Sequence, residues 1–95
     1  MSAFIIVEVK IKNHKEYEGY KKLVPSTLEK YGGKFIVRGG KTESLEGNWN
    51  PERFVILQFE SMEKAKAWWS SEEYSRAKKI RYKNAESKML LAEGM

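Results

Sequence analysis

The chain has 95 residues, 41% hydrophobic and 33% charged, with a formal charge of +5 and a pI near 9.4. That size and balance predict a single globular domain over residues 1–95 and exclude a disordered chain. There is no cysteine, which excludes a disulfide framework, a thiolate nucleophile and a thiolate-bound metal.

The opening residues "MSAFIIVEVK" carry Glu8 inside the apolar run and no basic leader, so they do not read as a signal peptide. No apolar stretch approaches the ~20 residues that span a bilayer. A cytoplasmic protein without a membrane partner is the expectation. Residues 3–11 alternate as a strand, with Ile5, Val7, Val9 and Ile11 on one face and Phe4, Ile6, Glu8 and Lys10 on the other. Asn13 offers an N-cap oxygen, and Glu16 three residues later makes a capping-box-like start. The helix that follows places Tyr17, Tyr20, Val24, Leu28 and Tyr31 on one stripe. Pro25 falls inside it and removes the hydrogen bond to Lys21, which predicts a kink. Gly32-Gly33 ends the helix.

A second strand is read over 34–38, "KFIVR", and a weak alternation resumes after Gly39-Gly40 through Thr42, Ser44 and Leu45. Gly47-Asn48 and Pro51 are turn chemistry. Residues 53–59, "RFVILQF", are the strongest strand, with Val55, Leu57 and Phe59 opposed to Phe54, Ile56 and Gln58. Ser61 caps a second helical region whose inner positions are Met62, Ala65 and either Trp68 or Trp69. Ser70-Ser71-Glu72-Glu73 interrupts it and starts afresh, continuing through Tyr74, Ala77 and Ile80 or Arg81. A last strand is read over 87–92, "SKMLLA". The order βαββαβ, with right-handed crossovers, gives an α+β, ferredoxin-like domain: a four-stranded antiparallel sheet with its helices on one face.

The other sheet face should be polar in a monomer, yet it carries Phe4, Ile6, Phe54 and Ile56. A second copy packed sheet to sheet covers that patch, which predicts a C2 homodimer. Domains that bind RNA on such a face need glycine and stacking rings on the third strand; "ERFVILQFE" offers aliphatics instead. The basic residues are interleaved with Glu16, Glu18, Glu29, Glu63, Glu72 and Glu73, as on solvated helix faces. Nucleic acid is therefore not an expected partner.

His14 is the only histidine and has no array of carboxylates around it, so no metal site is expected. Gly39-Gly40 leads into extended chain rather than into a helix N-terminus, so it reads as a bend and not as a phosphate cradle. Arg38 closes the apolar run "FIV" and needs water or an acceptor. Two readings stay open: a structural ion pair, given the polar residues Glu8, Glu60 and Gln58 on neighbouring strands, or a hold on a carboxylate or enolate oxygen of a small ligand. Tyr17, Trp69 and Tyr74 suit the lining of an aromatic or apolar site, and Trp49 suits a cover over it or a contact with a dimer mate.

The stretches "YEGYKKLVPSTLEKYGGKFIVRGG" (17–40), "LEGNWNPERFVILQFESMEKAKAWWSSEEY" (45–74) and "LLAEGM" resemble the "domain of unknown function 1330" family, within the dimeric α/β-barrel superfamily. The resemblance covers nearly the whole chain, with the YGG, VRGG, LEG and W landmarks in order. It implies a ferredoxin-like subunit whose sheet pairs with a second subunit's sheet, and it implies no established reaction. The wider superfamily includes cofactor-independent monooxygenases, lactone isomerases and haem enzymes; haem and other cofactors are not expected here. Position 69 is tryptophan where many relatives would have tyrosine. The expectation is a homodimeric small-molecule-binding protein, in its catalytic version a cofactor-independent monooxygenase- or isomerase-like enzyme on a small anionic or aromatic compound. In it Arg38 binds the anionic end, Tyr17, Trp69 and Tyr74 line the site, and Trp49 covers it. The alternative is a non-catalytic dimerisation or scaffold module.

Overall fold

The structure is a computed structural model that describes residues 1–95. Strand β1 (Ala3–Ile11) leads into helix α1 (His14–Glu29), then strand β2 (Lys34–Arg38) and strand β3 (Arg53–Phe59). Helices α2 (Met62–Ser70) and α3 (Glu72–Asn84) follow, and strand β4 (Ala85–Glu93) closes the chain. The four strands form one antiparallel sheet in the order β2-β3-β1-β4, with the helices over one face. The architecture is ferredoxin-like, with the second helical layer element split in two.

Local chemistry explains the boundaries. Asn13 Oδ1 accepts the amide of Glu16 at 3.1 Å and starts α1, and Ser61 Oγ accepts the amide of Lys64 at 3.2 Å and starts α2. Ser71 divides α2 from α3: its extended backbone (φ −67°, ψ 154°) stops one helix, and its Oγ accepts the Tyr74 amide at 3.1 Å to start the next. Past α1 the chain approaches the sheet so closely that a Cβ on Gly33 would lie 2.6 Å from the Phe59 ring. Only glycine fits there.

The buried sets meet where periodicity places them. Ile5, Val7 and Val9 of β1 and Val55, Leu57 and Phe59 of β3 face Tyr17, Tyr20, Val24 and Leu28 of α1. Of the two adjacent tryptophans, Trp68 is fully buried and Trp69 is 43% exposed. Trp68 stacks on Tyr74 with centroids 3.9 Å apart, and its indole N–H donates to Thr27 Oγ1 at 3.0 Å. Arg81, not Ile80, takes the inner position of α3.

The structure refines three details of that reading. The weak alternation over Thr42–Leu45 forms no strand, and past Arg38 the Gly39 amide still donates to the Phe54 carbonyl of β3 at 2.9 Å. Strand β4 starts at Ala85 rather than 87, paired with β1 from its first residue (Ile11 with Ala85). The third concerns β2, which slips by one residue between Phe35 and Val37: Phe35 pairs with Leu57, Val37 with Ile56 and Arg38 with Val55. Ile36 is the extra residue of a β-bulge, and every side chain after it changes face. Val37 therefore joins the open face, and Arg38 turns under α1. On that open face Val37, Ile56, Ile6 and Leu90 form one aliphatic row across all four strands.

Candidate functional site

Between the sheet and α1 lies a cavity of about 30 Å³, space for about two waters. Val7, Val9, Val24, Val55, Leu57 and Trp68 make its apolar wall, Tyr17 and Tyr20 add two phenols, and Phe35 and Met89 complete it towards the outer strands. Lys21, Arg38 and Arg53 bring the positive charge. All three retain some exposure, so the polar end of the cavity is also the end that meets solvent.

Arg38 arrives there because of the bulge. Its Nη2 donates to the carbonyl of Lys21 at 3.0 Å, and its guanidinium carbon lies 4.3 Å from the centre of the Phe35 ring. The Lys21 carbonyl is the one that Pro25, with no N–H, leaves without its intrahelical donor. Neither Glu8 nor Glu60 is its partner; Glu60 pairs with Lys64 at 3.0 Å. The ion-pair reading of Arg38 is thus replaced by a backbone cap on α1, made with one of its five N–H groups.

Arg53 stands beside it. It lies two residues before Val55, so strand alternation puts it on the helix-facing side. Gly39, at φ +69°, lets the guanidinium close in: a Cβ at that position would meet Arg53 Nη1 at 2.6 Å. Arg53 Nε is buried and has no hydrogen-bond partner. The four ion pairs of the protein all use lysines, so neither cavity arginine has a carboxylate.

The phenols form a chain away from the cavity. Tyr17 and Tyr20 have ring centres 5.1 Å apart, and the hydroxyls of Tyr20 and Tyr74 share a hydrogen bond of 2.7 Å. Burial raises the pKa of Tyr17, against the downward pull of the Arg53 and Arg81 charges. Burial also raises Tyr20, helped by Tyr74, and raises Tyr74 itself. All three are neutral donors near neutral pH rather than bases.

The residues singled out from sequence are only partly together. Arg38 and Tyr17 share the cavity. Tyr74 is fully buried behind Tyr20 and Trp68 and reaches the cavity only through them. Trp69 lines a separate groove with Ile5, Ala65, Met89 and Leu91, and Lys78 Nζ sits 3.4 Å from its ring centre. Trp49 is 54% exposed and meets Phe54 edge-on at 5.7 Å, in a cleft with Leu45 and Pro51. Arg53 was not singled out, although its place in the alternation of "RFVILQF" marked its face. His14 is exposed at the start of α1, and no three His, Cys, Asp or Glu side chains gather as a metal-ligand group. No helix is long and apolar enough to cross a membrane.

Fold and cavity together define a ferredoxin-like domain with a small, cationic-mouthed pocket under its first helix. The chain belongs to the family described as "Domain of unknown function (DUF1330)", whose model matches residues 2–95. No curated protein matches the sequence. Among solved structures, a protein of unknown function from Rhodopseudomonas palustris is similar at TM-score 0.79 and 17% identity, covering 99% of this chain and 82% of that one. A dimeric ferredoxin-like protein of unknown function from Jannaschia is similar at TM-score 0.74 and 9% identity, covering 99% and 100%. SnoaB, a cofactor-independent oxygenase from Streptomyces nogalater, is similar at TM-score 0.69 and 7% identity, covering 99% and 93%. At such identities the likeness is one of fold.

Proposed function

We propose that the protein is a homodimer that binds a small molecule in the cavity between its sheet and α1. The observation that carries this reading is an apolar-walled cavity with three charged groups, of which Lys21 pairs with Glu18 while Arg38 and Arg53 have no carboxylate partner. A guanidinium with spare donors beside an apolar wall is a recognition site in miniature. The catalytic version, cofactor-independent oxygenation or isomerisation of the bound compound, uses the neutral phenol of Tyr17 as a hydrogen-bond donor at the same place. Its further support is a fold shared with an oxygenase described as cofactor-independent.

The dimer is argued from the open face. The aliphatic row Val37–Ile56–Ile6–Leu90 runs unbroken across the sheet, and Leu90 is 64% exposed in the single chain. Phe4 and Phe54 extend the patch above and below it. A second copy lays the same row against it, and a similar protein is described as dimeric. Light scattering at micromolar concentration should give twice the protomer mass, and Ile56→Glu should give the protomer mass with the fold retained. A wild-type monomer refutes the dimer.

The cavity is tested by titrating small apolar and aromatic fragments while following the methyl resonances of Val7, Val9, Val24 and Val55. Binding at the site shifts these methyls, and Val24→Phe, which fills the cavity, abolishes the shifts. Fragments that bind equally to wild type and the filled variant refute the site.

A further inference from the structure

We infer that the ligand of this cavity is a monocarboxylate with a short apolar tail, and that Arg53, with Arg38 beside it, holds the carboxylate. The inference rests on the cavity reading and adds the charge and shape of what fills it. Arg53 is the residue that carries it. Its guanidinium lines the cavity beside the Tyr17 hydroxyl and has no carboxylate partner, and its Nε–H is buried without an acceptor, as is that of Arg81 away from the cavity.

None of the charged groups around the mouth supplies a carboxylate to these arginines. On α1, Glu18 feels the Arg53 charge but is bound to Lys21 at 2.9 Å. On β2, Arg38 uses Nη2 for the Lys21 carbonyl and keeps its other N–H groups. Just before β3, Glu52 Oε2 accepts the amide of Ile11 at 2.6 Å and is taken out of reach. The β1 residue paired with Arg53 is Val9, which contributes no charge. The mouth is therefore cationic, with the Tyr17 phenol as a neutral donor at its edge.

Shape then narrows the anion. A planar guanidinium fork matches a planar carboxylate, and the wall behind it, Val9, Val24 and Val55, is apolar from the first atom inward. With space for about two waters, the cavity takes a short chain and not a fused ring. The close approach of Arg53 to Gly39 sets the guanidinium against the backbone at the mouth of the cavity.

The test uses the full chain with three probes: butyrate, butyramide and inorganic phosphate. Affinity is read by calorimetry, and the site by the valine methyl and arginine Nε resonances. Butyrate should shift the Arg53 Nε–H and the Val9 and Val55 methyls, and bind about tenfold or more tightly than butyramide. Arg53→Gln should lose about tenfold in butyrate affinity, with Arg53→Lys falling between. Should Arg53→Gln misfold, the wild-type comparison of the isosteric acid and amide decides alone. Equal binding of butyrate and butyramide, with the methyls still shifting, overturns the carboxylate while the cavity stands. Phosphate binding as tightly as butyrate overturns the apolar tail. If none of the probes moves the methyls and the fragment titration is also silent, the cavity reading falls with it.

Discussion

The link between Pro25 and Arg38 predicts a specific thermodynamic coupling. Pro25 denies the Lys21 carbonyl its helical donor, and Arg38 Nη2 supplies one from β2 at 3.0 Å. Pro25→Ala restores the intrahelical N–H and removes the ring's clash, so stability should rise by about 2–3 kcal/mol. Arg38→Met keeps the apolar stem against Phe35 but deletes the donor. A charged donor on a carbonyl is worth about 1.5–3 kcal/mol when shielded, and Arg38 is exposed, so the expected loss is about 1 kcal/mol. In the Pro25→Ala background the Lys21 carbonyl is already satisfied, and Arg38→Met should cost less than half as much. The cycle should therefore show coupling of about 0.5–1 kcal/mol. Urea denaturation of the four proteins at one fixed protomer concentration measures it, since association shifts apparent stability. Melting temperatures should move by about 4–8 °C per kcal/mol. Equal costs of Arg38→Met in both backgrounds, to within about 0.3 kcal/mol, would refute the cap.

Thr27→Val removes the acceptor of the buried Trp68 indole N–H without changing size, and chemical denaturation should show a loss of about 1–3 kcal/mol. Gly39→Ala forces a side chain into φ +69° and against the Arg53 guanidinium; a loss of about 1–2 kcal/mol is expected, with displaced Arg53 Nε resonances in the folded protein. Tyr20 and Tyr74 both have pKa values raised above 10.0 by burial, so the folded state holds protons that the unfolded state gives up. The sign is a loss of stability as pH rises past 10.0, by up to about 2.7 kcal/mol per pH unit for the two together. Tyr17, raised in the same way, adds a third such phenol, so denaturation midpoints between pH 9 and pH 11 should show the whole slope reduced by about a third in Tyr20→Phe; an unchanged slope would remove Tyr20 from the effect.

Much of the domain is legible in the order of its residues, because caps and alternation act within a few positions. Asn13, Ser61 and Ser71 start helices through their own side-chain oxygens, and Ile5, Val7 and Val9 share a face by strand geometry alone. The apolar character of the open face follows from the same alternation, applied to Phe4, Ile6, Phe54 and Ile56. Arg38, Gly39 and Tyr17 were visible as residues of interest for their chemistry. Their relation to one another was not.

What only the tertiary structure decided is where those residues point. The bulge at Ile36 has no signature in "KFIVR", since it arises from pairing with β3, yet it turns Arg38 from the open face to the underside of α1. The partner of Arg38 is a backbone carbonyl seventeen residues earlier, orphaned by a proline; residue types cannot announce an acceptor that every residue possesses. Arg53 counts as a site residue only once Gly39 brings the backbone beside it. Trp68 and Trp69 are identical in type and adjacent in sequence, and only the packing of α2 against Tyr74 and Thr27 buries one and leaves the other at the surface. Short-range physics writes the elements into the sequence, whereas bulges, orphaned carbonyls and close approaches exist only between elements, after the chain has folded.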